Sequence, residues 1–204
     1  MTIPVVVTMR SEFVPDRSER RDALDRKVIE FLRACGCTPC PVPNDPGVAV
    51  DIWRLTGAAA VVLSGGGSIA ALDGHKGARD QTEHALLEEA YRCDAPAVGF
   101  CRGFQAVVAQ AGGTLARVQG HIASRHLVLA GATEREVNSF HEWGVTRLPE
   151  GWWTLARDPD GRPEAAWDPI RQVGGLMWHP EREAQPAAAD VTLVRSLLTG
   201  TVRR

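Results

Sequence analysis

No run in this chain approaches the ~20 consecutive apolar residues that a membrane-spanning helix needs. Neither charge is in excess: 23 Lys and Arg stand against 25 Asp and Glu, a formal net charge of −2. Such a balance provides no global basic field to attract nucleic acid, and no membrane partner is expected either. Met1 to Met9 is Val-rich, without a basic n-region or a cleavage-type tail, so a strand is expected there and not a signal peptide. No repeat, low-complexity linker or composition break divides the 204 residues, which predicts a single domain over 1–204. With 44% hydrophobic and 24% charged residues, that domain can bury one sizeable core. Five cysteines, an odd number, read as reduced thiols of a cytoplasmic protein.

What is present is an alternation of β and α signals. Ile3 to Thr8 reads as a strand and Ser18 to Ala34 as a helix, with Gly36 as its stop. Pro39 to Val42 reads as a short strand, Val48 to Leu55 as a short helix, and Ala59 to Leu63 as a buried strand. Asp80 to Cys93 reads as a helix. Buried Val-rich strands between helices predict an α/β fold, an open, mostly parallel sheet covered on both faces. From Val118 onward the strands are shorter and punctuated by turns, as at Asp158 to Gly161, which predicts a small antiparallel extension.

The most informative segment is Gly99-Phe100-Cys101-Arg102-Gly103-Phe104-Gln105. It follows the apolar run Ala95 to Phe100 and precedes the helix-like Arg102 to Ala111, the context of a nucleophile elbow with cysteine in place of serine. Its glycines let the backbone pass close to itself at a strained residue. A thiol at a helix N-terminus is favoured as thiolate by the dipole and the free N–H groups. Near the other end, Trp178-His179-Pro180-Glu181 follows a second apolar strand, Val173 to Trp178. It supplies a histidine to accept the thiol proton and a carboxylate to hold the imidazole. Pro180 biases His179 to extended backbone, which predicts that His179 and Glu181 project to the same side of a strand.

Three segments, Val98 to Gln105, Val137-Asn138-Ser139-Phe140-His141 and Gly175 to Glu181, resemble the signatures of class I glutamine amidotransferases. More narrowly they resemble the γ-glutamyl hydrolase branch of that superfamily, which includes γ-glutamyl-γ-aminobutyrate hydrolases. The resemblance spans about Pro4 to Glu183. It implies the flavodoxin-like fold of that superfamily, a Cys101-His179-Glu181 triad, and hydrolysis of a γ-glutamyl amide through a glutamyl thioester. It assigns Ser64-Gly65-Gly66-Gly67-Ser68 to an oxyanion hole, with the Gly66 N–H joined by that of Arg102. A Walker loop is excluded there because no G-K-[ST] follows; a plain turn is the alternative. The resemblance further implies that Gln105 and the backbone around Asn138, Ser139, Phe140 and His141 hold the α-amino and α-carboxylate groups of the glutamyl moiety.

His75 and His84 are expected to face solvent, and His121, His126 and His141 to be hydrogen-bonded structural residues. No coherent set of metal ligands is visible, and no metal or cofactor is expected. Cys35, Cys37 and Cys40 could form a metal or redox cluster, but the prolines around Cys40 favour simple packing. Arg125 and His126, with His121, form a cationic segment suited to phosphate or carboxylate, against a plain surface charge as the alternative. The pattern over these segments also resembles γ-glutamyl-CDP-amidate hydrolases, which implies a nucleotide-linked phosphoramidate as substrate. The expected partner is thus a small γ-glutamyl compound. A homodimer is left open, and a separate synthetase partner enters only if the chain is a glutaminase subunit. Other readings are a non-catalytic regulatory relative and a cysteine-based sensor on a similar fold; the intact Cys101, His179 and Glu181 argue against both.

Overall fold

Val5, Val6 and Val7 are all fully buried, which consecutive residues of a strand achieve only when both faces of the sheet are covered. The computed structural model describes residues 2–203. In chain order its first elements are β1 (Ile3–Thr8), β2 (Arg10–Val14), β3 (Glu19–Ala23), α1 (Arg26–Ala34), β4 (Cys37–Val42) and α2 (Pro46–Thr56). Next come β5 (Ala60–Leu63), the single turn α3 (Ala70–Asp73), α4 (Ala78–Arg92), β6 (Ala97–Phe100) and α5 (Arg102–Gln110). Strands then dominate: β7 (Thr114–Arg117), β8 (Ser124–Ala130), β9 (Thr133–Ser139), β10 (Trp143–Arg147), β11 (Trp153–Arg157), β12 (Pro163–Asp168) and β13 (Val173–Leu176). The final helix is α6 (Ala188–Leu198).

Nine of these strands form one sheet in the order β4-β1-β5-β6-β13-β12-β11-β8-β9. From β4 to β13 the pairings are parallel; from β13 outward to β9 they are antiparallel. The alternation of side chains sorts the core into two layers. Val5, Val7 and Val62 pack with Val28, Phe31 and Leu32 of α1 and Val194, Leu197 and Leu198 of α6. Val6, Val61 and Leu63 pack on the other face with Trp53 of α2, Leu86 and Leu87 of α4, and Val107 of α5. This is the α/β architecture the sequence predicts.

Three expectations need correction. The helix read over Ser18 to Ala34 is a hairpin and a shorter helix. Glu19 to Asp22 offer no apolar side chain and are exposed, so they pair with Arg10–Val14 across the turn at Pro15–Arg17. The helix begins only after Asp25, whose carboxylate accepts from the Lys27 N–H at 3.0 Å. The antiparallel extension is not small, because β12, β11, β8 and β9 continue the main sheet and make up almost half of it. The strand read over Val173 to Trp178 ends at Leu176. Cys35 and Cys37 are buried in the core, and burial pushes the Cys35 thiol up to about 12, the behaviour of packing side chains.

β5, β6 and β13 lie side by side and run parallel, so their carboxyl ends converge at one edge, where open α/β sheets bind ligands. The glycine-rich loop, Cys101 and His179 follow those three ends. Close approach at this edge demands glycine: a Cβ on Gly103 would run into the Leu63 carbonyl at the end of β5. Gly103→Ala should therefore cost about 2–3 kcal/mol or more by overpacking against a backbone that cannot yield. Urea denaturation monitored by circular dichroism measures it, and a loss below about 0.5 kcal/mol would contradict this packing.

Candidate active site

Cys101 sits between β6 and α5 with φ 49° and ψ −107°, a backbone conformation that costs a non-glycine residue about 1–3 kcal/mol. Two hydrogen bonds fix it there. Its N–H donates to Leu176 O of β13 at 2.8 Å, and its C=O accepts from the Gln105 N–H at 2.9 Å. The strained turn aims the thiol out of the sheet edge at the N-terminus of α5, where the first N–H groups lack helical partners.

His179 and Glu181 are buried, and Nδ1 of His179 lies 2.7 Å from Glu181 Oε1. Their relative placement differs from a strand's alternation: Pro180 starts a 3₁₀ turn, Pro180–Arg182, closed by Arg182 N–H to His179 O at 3.0 Å. The turn, not an extended strand, brings the carboxylate back to the ring. Burial pulls the imidazole toward neutrality, but the Cys101 and Glu181 side chains, which favour the protonated ring, outweigh it and hold the histidine up to about 9. Asn138 clamps the backbone of His179 from both sides: its Nδ2 donates to His179 O at 2.8 Å and its Oδ1 accepts from His179 N–H at 3.0 Å. The Phe140 ring stands edge-on to the imidazole at 5.7 Å. Gly65 leaves room for the ring, since a Cβ there would come within 2.6 Å of His179 Cε1.

The glycine loop is held from behind by residues that the sequence reading passed over. The buried Arg79 guanidinium donates to the carbonyls of Ser64 at 2.5 Å and Gly66 at 2.7 Å. With its carbonyls drawn toward Arg79, the loop passes Gly66 and Gly67, at φ +86° and +80°, along the pocket beside Cys101. Glu83 bonds Arg79 at 2.8 Å, the Arg102 guanidinium, and the Thr8 hydroxyl at 3.1 Å. Arg102 also reaches Asp80 at 2.7 Å and Ser68 O at 3.0 Å. Two cations and two anions thus balance beneath the loop. Arg102, expected to contribute only its N–H, is among the most deeply buried side chains.

A cavity of about 350 Å³ opens in front of Cys101, lined among others by Gly66, Gln105, Phe140, His141, Trp143 and Arg182. Gln105 lies in it as expected, its Nε2 donating to Trp143 O at 2.8 Å. Asn138 and Ser139 stand behind the wall; the Ser139 hydroxyl donates to His121 O at 2.7 Å. Arg125 and His126 do not line the cavity. Arg125 points along the surface to Glu136 and Glu183, each at 3.0 Å. His126 turns toward Glu164. The side-chain cation near the mouth is instead Arg182, whose guanidinium stacks 4.5 Å over Phe140.

A family model, Peptidase C26, matches residues 16–128 and 118–181, together most of the chain. The chain belongs to the Peptidase C26 family. Among curated relatives, it is 29% identical over 126 residues to the γ-glutamyl-CDP-amidate hydrolase of Campylobacter jejuni. It is 26% identical over 146 residues to a putative glutamine amidotransferase-like protein of Lactococcus lactis. Each match covers 61% of this chain and 62% of the relative, so the chain spans less than two thirds of the length of these relatives. In fold, this Peptidase C26 chain is similar to a putative GMP synthase subunit of Thermoplasma acidophilum. That match has a TM-score of 0.72 at 17% identity and covers 98% and 94% of the two chains. A glutamine amidotransferase of Thermotoga maritima gives 0.68 at 16% identity, covering 98% and 96%. Among the described residues no helix is long and apolar enough to cross a membrane.

Removing the buried carboxylate should be severe, since it leaves Arg79 without a carboxylate partner and Arg102 with Asp80 alone. Glu83→Gln is expected to cost about 3–5 kcal/mol of folding stability. Equilibrium denaturation reads this directly, and a cost under about 1 kcal/mol would mean that the network does not hold the loop.

Proposed function

We propose that this protein hydrolyses a γ-glutamyl amide by covalent catalysis at Cys101. The observation that carries the reading is a thiol on a strained strand-to-helix turn, lining one cavity with a histidine that a buried glutamate orients. In acylation the Cys101 thiol passes its proton to His179 and the sulfur bonds to the γ-carbonyl carbon. Backbone N–H groups of Gly66 and Arg102 stabilise the oxyanion. The C–N bond then breaks and the departing nitrogen takes a proton from His179. In deacylation His179 removes a proton from water, whose oxygen adds to the thioester carbon; the C–S bond then breaks and the sulfur takes that proton from His179, giving glutamate and the free thiol. The triad and backbone donors suffice for these steps. Gln105 and the backbone near Phe140 and His141 are the groups proposed to hold the glutamyl α-substituents.

The leaving group proposed is a nucleotide-linked phosphoramidate. Two things support it: the similarity to the C. jejuni hydrolase, and a guanidinium, Arg182, on the cavity wall where phosphate could be met by a charge-assisted bond. A second reading, a glutaminase subunit feeding ammonia to a separate synthetase, is favoured by the similarity to a 57-residue stretch, 42% identical, of a Pseudomonas aeruginosa anthranilate synthase component 2. Glutamate release from a panel of γ-glutamyl amides, phosphoramidates and glutamine separates the two. Efficient turnover of a phosphoramidate by the isolated chain supports the first; turnover of glutamine alone, and only with a partner added, sinks it.

Cys101→Ala should retain its fold and lose activity to below about one-hundredth of wild type. Residual activity above that level would remove Cys101 from the nucleophile's role. The pH profile offers a separate check. The leaving nitrogen needs the protonated imidazole, so kcat/KM should fall as pH rises through about 9. Glu181 is one of the groups that raises His179, so Glu181→Gln should shift that alkaline limb to lower pH. An unmoved limb would show that another group titrates there.

A further inference from the structure

His121, His126, His141 and Glu164 come from four segments of the chain and place one ligand atom each within 4.8 Å of one another. His121 Nδ1 is 3.3 Å from His141 Nε2, and Glu164 Oε1 is 3.7 Å from both. Glu164 Oε2 is 3.6 Å from His126 Nε2. All four groups are buried or nearly so; the side chain of His126 is 12% exposed and that of Glu164 only 2%.

The outer nitrogens show which way the lone pairs point. His141 Nδ1 lies 3.1 Å from Trp143 O, and His126 Nδ1 3.1 Å from Leu127 O. A carbonyl only accepts, so each Nδ1 carries the hydrogen and each Nε2 directs a lone pair inward. His121 has its Nε2 toward Asp158, at 3.7 Å, which leaves Nδ1 facing the cluster. Histidines backed by a carbonyl or carboxylate in this way are the usual pattern around a bound metal. A second observation points the same way: His126 Nε2 and Glu164 Oε2 are buried without any hydrogen-bond partner. Buried atoms of this kind require an explanation, and an ion is one.

We propose that these four residues form a structural zinc site. Three imidazoles and one carboxylate are a zinc-type donor set, poor for calcium or magnesium, which take oxygen ligands. Zn–N bonds of about 2.0–2.1 Å imply a ligand-to-ligand edge of about 3.3 Å in a tetrahedron. The close pairs, at 3.3–3.7 Å, already approximate that edge, and binding would draw the widest pair inward. Four protein ligands close the coordination sphere, so the ion braces and does not react. What it braces is the cavity wall: His141 follows Phe140, which packs on His179, and lies two residues before Trp143, which Gln105 holds. The histidines are hydrogen-bonded structural residues, as expected, and the proposed ion adds to that role without depending on the substrate.

The test is metal stoichiometry of the full chain, stripped with chelator, re-equilibrated with Zn²⁺ and desalted. One zinc per chain is expected, with a rise in Tm of about 5–10 °C at a free concentration near a hundred times Kd. His126→Ala and Glu164→Gln should lose the tight zinc and the Tm rise, while His84→Ala keeps both. Co²⁺ in place of Zn²⁺ should give tetrahedral d–d bands without a thiolate charge-transfer band, which separates this site from Cys101 and from Cys35, Cys37 and Cys40. Wild-type protein that binds no stoichiometric zinc and gains no Tm overturns the proposal, even if the variants misfold. So does a thiolate band, which would put the metal on cysteine, or full zinc in a folded His126→Ala.

Discussion

Glu83, buried between the guanidinium groups of Arg79 and Arg102, is the interaction on which the rest of the site depends. A carboxylate there is tolerable only because both cations are there, and the reverse holds equally. Through Arg79 the network takes up the carbonyls of Ser64 and Gly66; through Arg102 it anchors the first residue of the elbow helix and reaches the Ser68 carbonyl. The two structures proposed to face a reacting carbonyl, the glycine loop and the N-terminus of α5, are thereby tied to the same buried charge. Thr8 extends the tie to the end of β1: its hydroxyl donates to Glu83 and accepts from the Ser64 N–H at 3.1 Å.

Around that anchor the geometry follows from the sheet. Parallel strands deliver their following residues to one edge, and three adjacent strands deliver three different functions: loop N–H groups after β5, a thiol after β6, an imidazole after β13. Each arrival is made accurate enough for chemistry by a local device. Cys101 is strained and pinned by Leu176 O, His179 is gripped through its backbone by Asn138, and Glu181 is returned by the Pro180 turn. The antiparallel half of the sheet supplies Asn138 and Phe140, so it builds the site's far wall as well as extending the core.

How much of this the sequence disclosed follows from the range of each signal. The parallel strands were legible because residues buried on both sides leave an unbroken apolar run, as Val5 to Val7 do. The elbow was legible because strand, glycines and helix are contiguous. The hairpin at Arg10 to Ala23 was not, since its exposed residues carry neither helical nor alternating apolar periodicity and its pairing is decided by the turn. The charge network was hidden because Arg79, Asp80 and Glu83 look like any polar helix surface until Arg102 is brought against them. Arg125 was read as a ligand for phosphate or carboxylate, with a plain surface charge as the alternative; its guanidinium is taken up by Glu136 and Glu183, carboxylates that only the folded strands bring to it, and Arg182 lines the cavity instead. The histidines and Glu164 were read singly because their clustering depends on long-range pairing of strands that no local spacing encodes.

The central claim is that Cys101 carries the glutamyl group between two half-reactions. The most direct measurement is the intact mass of protein quenched in acid during turnover of a γ-glutamyl amide, followed by peptide mapping. The account predicts a population heavier by one glutamyl group, with the adduct on Cys101 and absent from Cys101→Ala. Turnover with the adduct on another side chain, or glutamate release by Cys101→Ala at the wild-type rate, would contradict it.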